Sequence, residues 1–146
     1  MPERAQQRLK LFQLVKLAAA CLVLVATPCF TGSQSPQVVE VLADHDSRFK
    51  IAGEREPIIT VHAGAPLTLR ITAVKAKNRN RDGSIHGFAL LRAKDRSKVP
   101  GWDFLLKPGL QEITVTAPEA GNYVVVCTVI CSDNHDGMSM KFIVLP

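Results

Sequence analysis

Sulfur and aromatic rings are scarce in this 146-residue chain, which holds four cysteines, three methionines, one tryptophan and one tyrosine. Long apolar runs are missing as well. The run "LAAACLVLVATPCF" at residues 17–30 falls short of the roughly 20 apolar residues that a bilayer span needs. Beyond it no stretch keeps a 3.6-residue apolar period, so helices are not the main architecture. There is no internal repeat and no low-complexity segment. Gly-x-Ser-x-Gly, His-Glu-x-x-His and phosphate-loop motifs are absent too, which removes the usual signatures of hydrolases, zinc proteases and nucleotide-binding enzymes. Excess charge is largely confined to the N-terminus. The whole chain carries +5, but four of its 18 basic and one of its 13 acidic residues lie in the first 30 positions, leaving 14 against 12, a net +2. Nucleic-acid binding needs a clustered basic face, and no nucleic-acid partner is expected. The one local cluster, "KAKNRNRDG" at 75–83, reads as a solvated loop or, more sharply, as a docking surface for an acidic partner.

The N-terminus has a role of its own. Arg4, Arg8, Lys10 and Lys16 precede the apolar run, the pattern of an export signal. Residues 1–30 are therefore read as a signal peptide or a membrane anchor, and the protein as extracytoplasmic, in a periplasm or its equivalent. Cys29 would carry a lipid if processing occurred just before it, although Pro28 stands where a small residue is expected. The polar "TGSQSPQ" at 31–37 reads as a linker, and residues 38–146 as one domain. Cys127 and Cys131 are the two cysteines of that domain. In an oxidising compartment a disulfide between them is the first bland reading.

The domain reads as all-β. Strand-like segments fall at 38–43, 57–64, 66–74, 84–92, 111–117, 122–129 and 140–145, with Gly and Pro punctuating the joins. In the third, Leu67, Leu69 and Ile71 alternate with Thr68, Arg70 and Thr72, the period of a strand with one buried face. About seven short strands over this length point to a two-sheet antiparallel β-sandwich with Greek-key connections. His45 and His62 lack soft neighbours and read as surface residues. "DHDS" at 44–47 reads as a turn.

The stretch "CTVICSDNHDGM" at 127–138 concentrates the scarce sulfur. It joins the last two strand segments, so rigid sheet holds both of its ends. Thiolate, thioether and imidazole together are soft ligands that favour copper. A disulfide alone would close only a small loop, removing little chain entropy, and would leave His135, Met138 and His86 unexplained. Zinc on Cys2His2 ligation is a further rival, which the methionine and the β-sandwich disfavour. Cys131, His135 and Met138 resemble the ligand loop of a mononuclear blue-copper site, with His86 of "IHGF" as the second histidine. Cys127 is then an extra thiolate able to bridge a second copper ion.

With its upstream histidine, the Cys-x3-Cys-x3-His-x2-Met spacing resembles the CuA family of cupredoxins, the copper domains of cytochrome c oxidase subunit II and nitrous oxide reductase. "IHGF", "GNYVVVC", "CTVICSDNHDGM" and "KFIVLP" follow that pattern in order. The resemblance implies a cupredoxin-like Greek-key β-sandwich behind the N-terminal export segment. It implies two copper ions bridged by Cys127 and Cys131, one completed by His86 and Met138, the other by His135 and the Val129 carbonyl. It implies a carrier of single electrons that makes no bonds itself, working between partners such as a cytochrome and a terminal oxidase or reductase. The chain departs from the family at Val129, where a polar or acidic residue is usual, and at Ser132, where glycine is. The paired transmembrane helices and early aromatic-rich strand of the oxidase subunit have no counterpart in it. Two alternatives stay open beside this reading: a copper-handling protein with a copper donor or acceptor as partner, and a mononuclear cupredoxin in which Cys127 is spare.

Overall fold

A computed structural model describes residues 35–146. The expected export segment, with Cys21 and Cys29, lies outside the described residues, as do residues 31–34 of the expected linker. The described residues form nine strands: β1 (Gln37–Ala43), β2 (Phe49–Lys50), β3 (Ile58–His62), β4 (Pro66–Ala73), β5 (His86–Arg92), β6 (Lys98–Leu106), β7 (Gly109–Thr116), β8 (Gly121–Val126) and β9 (Ser139–Leu145). One short 3-10 turn, His135–Gly137, precedes β9.

The strands make a four-stranded sheet in the order β2-β1-β4-β7 and a five-stranded sheet in the order β3-β9-β8-β5-β6. The all-β sandwich expected from the alternating pattern is present, but its sheets are mixed. β1 runs parallel to β4 and β3 parallel to β9, while the other pairings are antiparallel. The reason is topological. Between β1 and β4 the chain passes through β3, in the opposite sheet, and returns in the same direction; hairpins alone would have kept every pair antiparallel.

Each of the seven expected segments contains a strand. β2 and β6 were not expected. β6 carries Pro100 and Gly101, which read as a turn from sequence alone; it is an edge strand of its sheet, where proline's missing N–H is tolerated. Gly101 takes φ +77 there, a conformation open to glycine. Trp102 on the same strand is buried and meets Phe142 of β9 edge-on, with ring centroids 5.3 Å apart.

The core lies between the sheets. Leu67, Leu69 and Ile71 of β4 face Phe88 and Leu90 of β5, Val125 of β8 and Phe142 of β9 within one buried cluster. The expected alternation in β4 therefore has its physical cause in the burial of one face. At the far side of β8, Tyr123 donates its hydroxyl to the Glu119 carbonyl at 2.7 Å, a tyrosine corner of the kind that fastens Greek-key crossovers.

Candidate metal centre

β5 and β8 are antiparallel neighbours with Ala89 opposite Val126. Continuing that register past the end of β8 brings Thr128 level with Gly87 and Val129 level with His86. The backbone after β8 bends closely over β5 here. A Cβ on Gly87 would lie 2.1 Å from Thr128 Oγ1 and 2.7 Å from the Thr128 nitrogen. A hydrogen at that position is what permits the approach, and the approach places Cys127 Sγ 3.3 Å from the Gly87 N–H, which donates to it.

His86, Cys127 and Cys131 each offer a donor atom, and all three lie within 4.8 Å of one another. All three residues are buried. The two sulfurs are 3.8 Å apart as free thiols, well beyond the roughly 2.05 Å of a disulfide bond. Met138, 1 % exposed, brings its Sδ to 3.9 Å from Cys131 Sγ. The Val129 carbonyl lies 3.2 Å from Cys127 Sγ and also accepts the Cys131 N–H at 2.7 Å.

The histidines carry a clear chemical signature. Among the described residues, two buried side-chain nitrogens or oxygens lack a hydrogen-bond partner, and they are Nδ1 of His86 and Nδ1 of His135. Leaving such an atom unpaired costs about 1–3 kcal/mol. In both rings the other nitrogen is engaged. His86 Nε2 donates to the Val74 carbonyl at 3.1 Å, across the gap between the sheets. His135 Nε2 lies 2.8 Å from an Asp136 carboxylate oxygen. The Val74 carbonyl can only accept, so Nε2 of His86 holds the proton and its Nδ1 keeps a lone pair, as a metal ligand requires.

Burial has a second effect. It lowers the pKa of His86, against smaller opposing contributions from the Val74 hydrogen bond and the Asp44 charge, so the ring is neutral at pH 7. It also pushes the Cys127 thiol up to about 11, against the hydrogen bonds from Gly87 and at Val129. A thiol held protonated by an apolar pocket gives up its proton when a cation replaces it.

Five of the sequence-predicted groups meet in one place, and His135 is not brought into that group. His86, Cys127 and Cys131 form the compact group, and Met138 and the Val129 carbonyl adjoin its sulfurs. His135 stands outside the three-residue group, on the 3-10 turn, and is a quarter exposed at its side chain (24 %). His45 and His62 are exposed, as expected. Met140 is buried core. Sequence reasoning missed Ser47. Its hydroxyl lies 3.7 Å from Cys131 Sγ although 84 positions separate the two residues, and "DHDS" gave no signal beyond a turn.

A buried set of two thiols, a thioether and the unpaired His86 nitrogen fits a soft or borderline transition metal. It does not fit calcium or magnesium, whose ligands are oxygens.

No family model matches the chain, and no curated protein sequence matches it. Solved structures do match. Auracyanin A, a "blue" copper protein from the green thermophilic photosynthetic bacterium Chloroflexus aurantiacus, superposes with a TM-score of 0.55 at 22 % identity, over 76 % of this chain and 100 % of that one. Auracyanin B matches with a TM-score of 0.51 at 20 % identity, over 77 % of this chain and 92 % of that one. Dithionite-reduced auracyanin from Roseiflexus castenholzii matches with a TM-score of 0.51 at 18 % identity, over 77 % of this chain and 100 % of that one. At these identities the likeness is one of fold, and the fold is the cupredoxin-like sandwich that the sequence resemblance implied.

Proposed function

We propose that this protein is an exported copper-binding carrier of single electrons, with its metal held by His86, Cys127, Cys131, His135 and Met138 and by the Val129 carbonyl. The observation that carries this reading is the pair of buried, unpartnered Nδ1 atoms on His86 and His135. The two thiols and the thioether beside His86 supply the soft donors. Bound copper would supply a one-electron couple. The chain's part is to keep the ligands preorganised between strands and to exclude water, which lowers the rearrangement that accompanies electron transfer.

Two compositions of the site have support. One copper ion is supported by the fold's likeness to auracyanin A, itself a "blue" copper protein, and by the compactness of the His86, Cys127 and Cys131 group. Two ions, as the CuA resemblance implies, are favoured by one specific feature: Cys127 and Cys131 present separate buried sulfurs 3.8 Å apart, and two thiolates can bridge two metals. His135, partly exposed at its side chain, is the proposed point of electron entry or exit. A cytochrome and a terminal oxidase or reductase are the partners proposed, in an extracytoplasmic compartment reached through residues 1–30.

The test is to load the purified chain with copper(II) and record metal stoichiometry, visible absorption and electron paramagnetic resonance. One copper with an intense blue band supports the mononuclear reading. Two coppers with a purple colour and a seven-line delocalised signal support the binuclear one. Tight binding of copper(I) only, with ready transfer to an acceptor, would replace electron carriage by copper delivery. Failure to bind copper in either state refutes the proposal.

A further inference from the structure

Cys127 and Cys131 differ in what supports their sulfurs. Cys127 receives a backbone N–H from Gly87 on β5. Among the described residues no backbone N–H donates to the Cys131 sulfur; the hydroxyl near it is that of Ser47, from the turn between β1 and β2, at 3.7 Å. Ser47 is 4 % exposed and takes φ +61, an uncommon conformation for a residue other than glycine. The turn that holds it there is tightly tied. The Ser47 N–H donates to the Asp44 carbonyl at 3.1 Å, and the Asp44 N–H to the Arg48 carbonyl at 2.9 Å. Lys50 Nζ meets carboxylates of both Asp44 and Asp46.

The proton positions follow from counting donors. The Asn134 N–H donates to Ser132 Oγ at 3.1 Å. The Ser132 and Ser47 hydroxyl oxygens are hydrogen-bonded to each other, and each hydroxyl has one proton. A metal-bound Cys131 is a thiolate, which accepts and cannot donate. Ser47 must then give its proton to the sulfur, and Ser132 must give its own to Ser47. A single direction satisfies every group: Asn134 N–H to Ser132, Ser132 to Ser47, Ser47 to Cys131 Sγ. Each bond in such a chain polarises the next.

We propose that Ser47, backed by Ser132, is the hydrogen-bond donor that sets the electron density on the Cys131 sulfur and thereby raises the reduction potential of the bound copper. A hydrogen bond to a thiolate draws charge away from the metal. Oxidised copper needs that charge more than reduced copper does, so the reduced state gains. No bond is made or broken, and one electron enters or leaves the metal with either serine intact. This inference rests on the copper reading above.

The experiment uses the copper-loaded full chain with Ser47→Gly and Ser132→Ala. Glycine suits φ +61, so Ser47→Gly removes the hydroxyl without adding backbone strain, and thermal unfolding of the metal-free variants checks the fold. The expected result for Ser47→Gly is unchanged copper stoichiometry, a sulfur-to-copper band moved to longer wavelength, and a lower potential. A three- to tenfold change in the one-electron equilibrium corresponds to about 30–60 mV. Ser132→Ala leaves Ser47 in place and shifts both readouts the same way by less. A Ser47→Gly protein that keeps its copper with wild-type band and potential overturns the inference and leaves the copper reading standing. A wild-type chain that binds no copper removes both.

Discussion

His86 and Val74 are joined across the two sheets, the imidazole Nε2 donating to the Val74 carbonyl at 3.1 Å. Val74 directly follows β4 and His86 opens β5, so the bond closes the end of the sandwich where the sulfur loop lies. It also settles the ring's chemistry, since Nδ1 is left as the free nitrogen. The metal-free protein at pH 7 is expected to show His86 as the neutral Nε2–H tautomer in long-range nitrogen–proton correlation spectra. An imidazolium or an Nδ1–H tautomer would contradict the assignment of Nδ1 as ligand.

Replacing Cys127 by serine separates the two metal compositions. If two coppers are bound, Cys127→Ser is expected to drop the stoichiometry from two towards one and to abolish the delocalised resonance signal, while Cys131 and the histidines retain some mononuclear binding. Metal analysis and resonance spectra on the variant read this directly. Wild-type stoichiometry and spectrum in the variant would take Cys127 out of the site.

Gly87→Ala tests the close approach of the loop to β5. The added methyl would meet the Thr128 backbone nitrogen at 2.7 Å, and a backbone atom cannot rotate away as a side chain can. Overpacking of this kind costs about 1–3 kcal/mol, and the same shift would lengthen the Gly87 bond to Cys127. Urea unfolding of the metal-free variant is expected to show a loss within that range. A loss under about 0.5 kcal/mol, the scale of an ordinary surface change, would mean that the loop yields there.

Asp44 gives a pH-dependent prediction. Its hydrogen bond to Lys50, with help from His45, holds the carboxyl at about 2, below its ordinary 3.8, against a smaller opposing effect of burial. A depressed folded-state value means that the stabilisation is complete above the unfolded value and disappears as pH falls through the folded one. Asp44→Asn is therefore expected to cost about 1 kcal/mol at pH 7, discounted for solvent screening of the half-exposed Lys50. The gap to wild type should narrow between about pH 4 and pH 2, as followed by urea midpoints across that window. A gap that stays constant down to pH 2 would show that Asp44 acts through its shape alone.

Much of the candidate site was legible in the sequence because its chemistry is crowded. Cys127, Cys131, His135 and Met138 occupy twelve consecutive positions, and a loop pinned at both ends by strands has few ways to scatter them. The strands were legible for a similar reason: one-sided burial in β4 writes itself as alternation. β6 was not, because Pro100 and Gly101 carry the signature of a turn and only the vacant edge of a sheet makes them tolerable in a strand. Ser47 was invisible because a serine in a polar turn is ordinary in every local respect. Its meaning comes from a contact 84 positions away.

The sequence by itself determined the donor types and their spacing, hence the class of metal proposed, and the period-2 pattern that yields an all-β sandwich. Only the tertiary structure decided the rest. It chose mixed rather than purely antiparallel sheets and brought Val74 to His86, Gly87 to Thr128 and Ser47 to Cys131. Local propensity acts over a few neighbouring residues. Those contacts join segments that meet only once two apolar faces have packed together and the register of β5 on β8 has been set.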